Sequence, residues 1–176
     1  MKLVTNFKET LKPIFSSKPR VFIRVHSVRR DAGYNLILKE ILESFGFEVF
    51  LGCTRNINFC LTFWKPDIVI ISTFKLAKFI KKKCPSAFLI FLEGEGFQVN
   101  DDDRANYCFK HKTEFDLYDL FLLWGDAQLK GFRKFKKLIN IDKIFVVRNP
   151  KVDLASFLPI NEIKHKRKSL GFLCRF

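Results

Sequence analysis

The sequence predicts a Rossmann-like α/β domain of three layers, a parallel sheet with helices on both faces. Two observations carry this. Short β-branched or aromatic runs alternate along the chain with longer segments of helical spacing. One of those runs, residues 67–72 (DIVIIS), is almost wholly apolar, as suits a parallel strand buried on both faces. Repeated strand–helix units imply right-handed crossovers. Sheets of this kind bind ligands beyond the carboxyl ends of their strands. The segments just after each strand are therefore the places to look for chemistry.

The elements follow in order. The first strand is expected over 21–25 (VFIRV). Residues 33–45 then place Leu36, Ile37, Ile41, Leu42 and Phe45 on one helical face, and Gly46 stops the helix. A second strand is expected over 48–51, and a short helix over 57–64 that ends before Pro66. After the apolar third strand, residues 75–83 read as a helix closed by Cys84 and Pro85, and 87–92 as the fourth strand. A polar loop spans 93–102. A helix is expected over 103–115, with Asp101 or Asp102 as its cap. A fifth strand over 117–124, a basic amphipathic helix over 126–138 and a sixth strand over 143–147 complete the series.

The chain divides into a basic extension (1–19), one domain (20–159) and a tail (160–176). The tail begins as a polar linker rich in Lys and Arg and ends in LGFLCRF, which reads as the start of a strand. The expectation is a second domain lost or truncated. With 48% hydrophobic residues and 22 Phe among 176 residues, disorder is excluded, and the phenylalanines alone imply no function. The net charge of +14 predicts attraction to polyanions: nucleic acid, anionic lipid or phosphorylated substrates. No helix-turn-helix, RNA-recognition or zinc-finger signature accompanies that charge, so nucleic acid is disfavoured. The five cysteines form no C-x-x-C pair, and the three histidines are scattered. Neither a disulfide framework nor a metal site is expected. Small buried thiols in a reducing cytoplasm fit the pattern. No signal peptide is visible, and no stretch approaches the ~20 apolar residues that span a bilayer. The expected location is cytoplasmic, with peripheral contact at the inner face of the plasma membrane as an option.

Several strand ends carry candidate residues. After the first strand, Arg29 and Arg30 suit a phosphate or carboxylate gripped by forked hydrogen bonds, and Asp31 suits a helix cap. The plainer reading is a capped turn with two solvated arginines. The segment is not a G-x-G-x-x-G loop, so a dinucleotide cofactor is not expected there. After the fourth strand, Glu93 and Glu95 flank Gly94, followed by Gly96 and Phe97. A carboxylate at a strand end is placed to act as a general base on a hydroxyl, and the glycines allow close backbone approach. The plainer reading is a tight turn with exposed acids. Asp101, Asp102 and Asp103 fit helix capping better than metal binding. After the fifth strand, Trp124 is a packing residue and Asp126 a cap. After the sixth, Asn149 and Pro150 force a turn. The basic helix interleaves Lys130, Arg133, Lys134, Lys136 and Lys137 with Phe132 and Phe135. It serves as a surface helix buried through Leu129, Phe132 and Phe135, or as a membrane-facing one.

Taken in order, RRDAGYNLILKEILESFGFEV, KPDIVII, EGEGF, DLFLLWGDAQLKGF and VVRNPKVD resemble the N-terminal half of bacterial surface carbohydrate biosynthesis proteins. Those look like GT-B type glycosyltransferases, built of two Rossmann-like domains. The resemblance runs from about Arg20 to the end. It includes a strand ending in "WG" and a strand ending in an Asn-Pro turn followed by Asp153. Arg148 stands where such enzymes usually have glycine. The resemblance implies an acceptor-binding half and a separate domain for a nucleotide-sugar donor, with no further cofactor. The chain alone would be inactive. Glu95, or failing that Glu93, would deprotonate an acceptor hydroxyl. Arg29, Arg30, Asp31, Gly94, Gly96 and Asn149 would hold a carbohydrate or lipid-linked acceptor. Two other readings stay open: a non-catalytic module binding an anion or glycan, and half of a sugar-nucleotide epimerase.

Overall fold

Val21 and Ile23 point to one face of the first strand and Phe22 to the other, and this alternation divides the core in two. The computed structural model describes residues 18–94, 110–134 and 140–147. Six parallel strands form one sheet. They are β1 (Arg20–Arg24), β2 (Glu48–Gly52), β3 (Ile68–Ile71), β4 (Phe88–Leu92), β5 (Leu120–Leu123) and β6 (Ile144–Val146), in the order β2-β1-β3-β4-β5-β6. The third strand is buried at every position, as its all-apolar sequence requires. The fold is the expected Rossmann-like α/β class.

Helix α1 (Val28–Ser44) covers the face that carries Val21, Ile23, Ile68, Ile70 and Ile90. The opposite face receives α2 (Thr54–Phe59), which runs on into a π-helical turn (Cys60–Trp64). It also receives α3 (Ala77–Lys83), entered through a 3-10 turn (Phe74–Leu76), then α4 (Lys112–Phe115) and α5 (Asp126–Arg133). Much of the phenylalanine is spent here. Phe74, Phe91, Phe115, Phe121 and Tyr118 form a continuous stack, with centroids 4.3 Å apart for Phe115 and Phe121 and 5.0 Å for Phe74 and Phe91. Each such pair adds roughly 0.5–1.5 kcal/mol beyond area burial. Among the described residues no helix is long and apolar enough to cross a membrane.

Two aspartates at the amino ends of strands lock the register. Asp67 Oδ2 accepts from the Arg20 amide at 2.8 Å, and Asp119 Oδ2 accepts from the Leu89 amide at 2.7 Å and from Lys81 Nζ at 2.9 Å. These bonds satisfy groups that a short strand leaves open.

Three expectations are corrected. Helix α1 begins at Val28, not at residue 33, because Asp31 reaches back to the Ser27 amide and supports an earlier first turn. With that start, Asp31, Tyr34, Asn35, Leu38, Leu42 and Phe45 face the sheet, while Leu36, Ile37 and Ile41 are exposed. Cys53 is exposed at the start of α2, whereas Cys60 and Cys84 are buried thiols as expected. The helix over 57–64 starts earlier, at Thr54, and ends where Lys65 turns left-handed (φ 50°) ahead of Pro66. Most of the helix over 103–115, the aspartates 101–103, Phe135, Lys136, Lys137, the linker and the final strand lie outside the described residues.

Candidate functional site

The strand order places the candidate site. The chain leaves β1 toward β2 on one side and later returns to β3 on the other. The connections therefore diverge at the carboxyl ends of β1 and β3, and a crevice opens there in sheets of this kind. The residues at that edge are 25–27 after β1, Ser72 and Thr73 after β3, and Glu93 and Gly94 after β4.

Asp31 organises the β1 side. It is 2% exposed. Its Oδ2 accepts from the Ser27 amide at 3.0 Å and its Oδ1 from Arg30 Nε at 2.9 Å. Arg30 Nη2 also stands 3.0 Å from His26 Nδ1. The residue at the cap position is Ser27, whose side chain makes no capping bond. Asp31 thus anchors the first turn from inside the helix, and its own carboxylate is occupied by that work. Arg29, in the same turn, is exposed.

Arg24 closes the other flank. Its Nε and Nη2 donate to Thr54 Oγ1 at 3.1 and 2.9 Å. Its Nη1 is buried and has no hydrogen-bond partner among the described residues. Burial lowers the pKa of this guanidinium, against the pull of Tyr118 and Asp31. A half-buried arginine with an open donor is a fitting grip for an anion.

Glu93 lies under the β4 side, 1% exposed, and its Oε1 accepts from the Gly94 amide at 3.0 Å. A Cβ on Gly94 would come within 3.1 Å of Ser72 Cβ, so the loops after β3 and β4 touch there. Tyr34 is buried in the first-strand face of the core. Its phenol is pushed up to about 12, first by burial and then by the Asp31 carboxylate, with Glu93 acting in the same direction. Tyr118 pins the loop after β3 by donating to the Thr73 carbonyl at 2.5 Å.

No protein-family model matches this chain, and no curated protein and no solved structure matches it either.

The geometry gathers Arg30, Asp31, Gly94 and Glu93 at one edge, as their positions after β1 and β4 imply. Glu95, Gly96 and Asn149 lie outside the described residues. At the next strand end, the Trp124 amide donates to Gln128 Oε1 at 2.9 Å. Asp126, expected as a cap, is instead the first helical residue; Gly125 holds the cap position, and no side chain among the described residues makes a cap bond there. Leu129 and Phe132 pack into the core, as expected. Among the described residues no group of three or more His, Cys, Asp or Glu is placed to hold a metal ion. Sequence reading missed Arg24, Tyr34, Thr73 and Tyr118. Arg24 carried a signal, being the one charge within VFIRV at its carboxyl end. The others depend on contacts between distant segments.

Proposed function

We propose that the chain is the acceptor-binding part of a glycosyltransferase of surface polysaccharide or lipopolysaccharide biosynthesis. The observation that carries this reading is the charge arrangement at the sheet's carboxyl edge. Arg29 and Arg30 stand in the first turn of α1 and Arg24 at the end of β1, with the buried Asp31 carboxylate paired to Arg30 and the buried Glu93 after β4. Such an edge suits an acceptor with an anionic group and a hydroxyl to be activated.

In this reading the acceptor oxygen attacks the anomeric carbon of a sugar held as a nucleotide donor by a companion domain. The new bond is oxygen to anomeric carbon. The bond that breaks joins that carbon to the phosphate, and the nucleotide leaves with its electron pair. A carboxylate of the loop after β4 takes the hydroxyl proton. Glu93 is buried and held by the Gly94 amide, which fits it to set the loop's conformation. The base role then falls to Glu95. Arg24 and Arg29 hold the anionic group, and Gly94 keeps the loops after β3 and β4 close.

The test is transfer of labelled sugar by this chain together with its donor-binding domain. Glu95→Gln should lower kcat by about a hundredfold or more with little change in acceptor KM. Undiminished turnover would remove the base assignment. A second reading, a non-catalytic anion-binding module, is favoured by one fact: Asp31 and Glu93 are both already engaged by their own neighbours. It predicts anion binding at the same edge with no transfer in any combination.

A further inference from the structure

The geometry points to an anionic membrane surface as the partner of the α2–α3 face, with Phe59 and Phe63 entering the headgroup boundary. Phe59 is 59% exposed and Phe63 73% exposed, and their rings pair at 5.2 Å. Both project from the stretch where α2 passes into its π-helical turn. Two large aromatic rings so fully in water are costly unless a partner covers them.

The two segments that form this face are basic, and the nearby Glu48 carboxylate accepts from Trp64 Nε1 at 3.2 Å. Residues 53–65 and 73–87 contain no Asp or Glu. Arg55, Lys65, Lys75, Lys82 and Lys83 are exposed and form no ion pair among the described residues. Lys78 and Lys81 pair with Glu114 and Asp119 instead. Lys82, Lys83 and Arg55 lie by the ring-bearing stretch. Cys84, next after Lys83, bonds through Sγ to the Leu61 carbonyl at 3.1 Å, which sets the end of α3 against the turn bearing Phe63. Arg55 lies one turn before Phe59. Exposed aromatics flanked by unpaired cations match a bilayer rich in acidic lipid, where each cation near the surface strengthens binding.

Two other surfaces fit less well. The apolar outer face of α1 (Leu36, Ile37, Ile41) is interrupted by Glu40 and by the Lys39–Glu43 pair. The basic helix α5 turns Phe132 fully into the core and Leu129 partly so. On α2 and α3 exposed rings and cations occur together. This inference does not depend on sugar transfer.

The experiment is co-sedimentation of the chain with vesicles of phosphatidylglycerol and phosphatidylcholine in equal parts, and with phosphatidylcholine alone. Expected are binding to the acidic vesicles only, and weakening as salt is raised. The Phe59→Ser/Phe63→Ser double variant should lose about tenfold or more, and Lys82→Glu/Lys83→Glu a similar factor. Circular dichroism checks that both variants fold. In a Phe63→Trp variant, lipids brominated in the acyl chain should quench the added fluorescence. Absence of vesicle binding, binding that survives both double variants, or a Phe59- and Phe63-dependent affinity for RNA in place of vesicles would overturn the proposal.

Discussion

Arg30 Nε stands 2.9 Å from Asp31 Oδ1, a contact between sequence neighbours within the first turn of α1. The same carboxylate holds the Ser27 amide at 3.0 Å, so one buried group serves both the helix start and the edge where a ligand would sit. Asp31→Ala should therefore cost about 2–3 kcal/mol, the size of a lost charge-assisted bond together with a lost cap. Asp31→Asn should cost less, since an amide oxygen still accepts from Ser27. Urea unfolding of the three proteins measures the difference.

Tyr34 supplies a pH dependence with a definite sign. Its phenol is raised from 10.0 to about 12 in the folded protein, chiefly by burial. The folded state holds that proton more tightly than the unfolded chain. The associated stability is complete below pH 10.0 and is lost as pH rises toward about 12. Wild type should lose about 2 kcal/mol more than Tyr34→Phe over that window, after allowance for partial screening. Parallel pH titrations of thermal stability would show it, and equal losses in the two proteins would remove Tyr34 as the cause.

Most of the fold was legible because each strand is a short β-branched or aromatic run, and such runs declare themselves locally. The third strand is the clearest case, with IVII buried on both faces. The start of α1 was not legible, because Val28, Arg29, Arg30 and Asp31 show no apolar periodicity. Their helix depends on a carboxylate reaching back to Ser27. The buried face of α1 was misread for a related reason. Leu36, Ile37 and Ile41 extend the apolar stripe around to water, and periodicity cannot say which part meets a sheet. At the edge, Arg30, Asp31, Glu93 and Gly94 were found by position after a strand. Tyr118 was not, since its bond to Thr73 spans 45 residues.

That bond gives the next expectation. Tyr118 is fully buried and its hydroxyl has the Thr73 carbonyl as a partner. Tyr118→Phe leaves the ring stack in place and removes the hydrogen bond to Thr73. The expected loss is about 1–2 kcal/mol, with faster amide exchange at Ser72 and Thr73. An unchanged exchange rate there would mean that the hydroxyl does not hold the loop.

Two glycines should respond differently to alanine. At Gly52 the new Cβ would lie 2.7 Å from the Phe22 ring, which is fully buried and has nowhere to move. Gly52→Ala should cost about 1–3 kcal/mol. At Gly94 the nearest atom is Ser72 Cβ at 3.1 Å, a contact that a small loop shift relieves. Gly94→Ala should cost less stability and more ligand affinity, because the shift falls at the binding edge. Denaturation midpoints and anion titrations of both variants separate the two effects.

The most direct test of the central claim, that the carboxyl edge between β1 and β3 holds an anionic sugar ligand, is an amide NMR titration of the chain with a hexose phosphate. The predicted result is saturable shifts confined to residues 25–30, Ser72, Thr73 and Gly94, weakened about tenfold or more by Arg24→Gln. Shifts clustered elsewhere on the fold, or none at all, would contradict it.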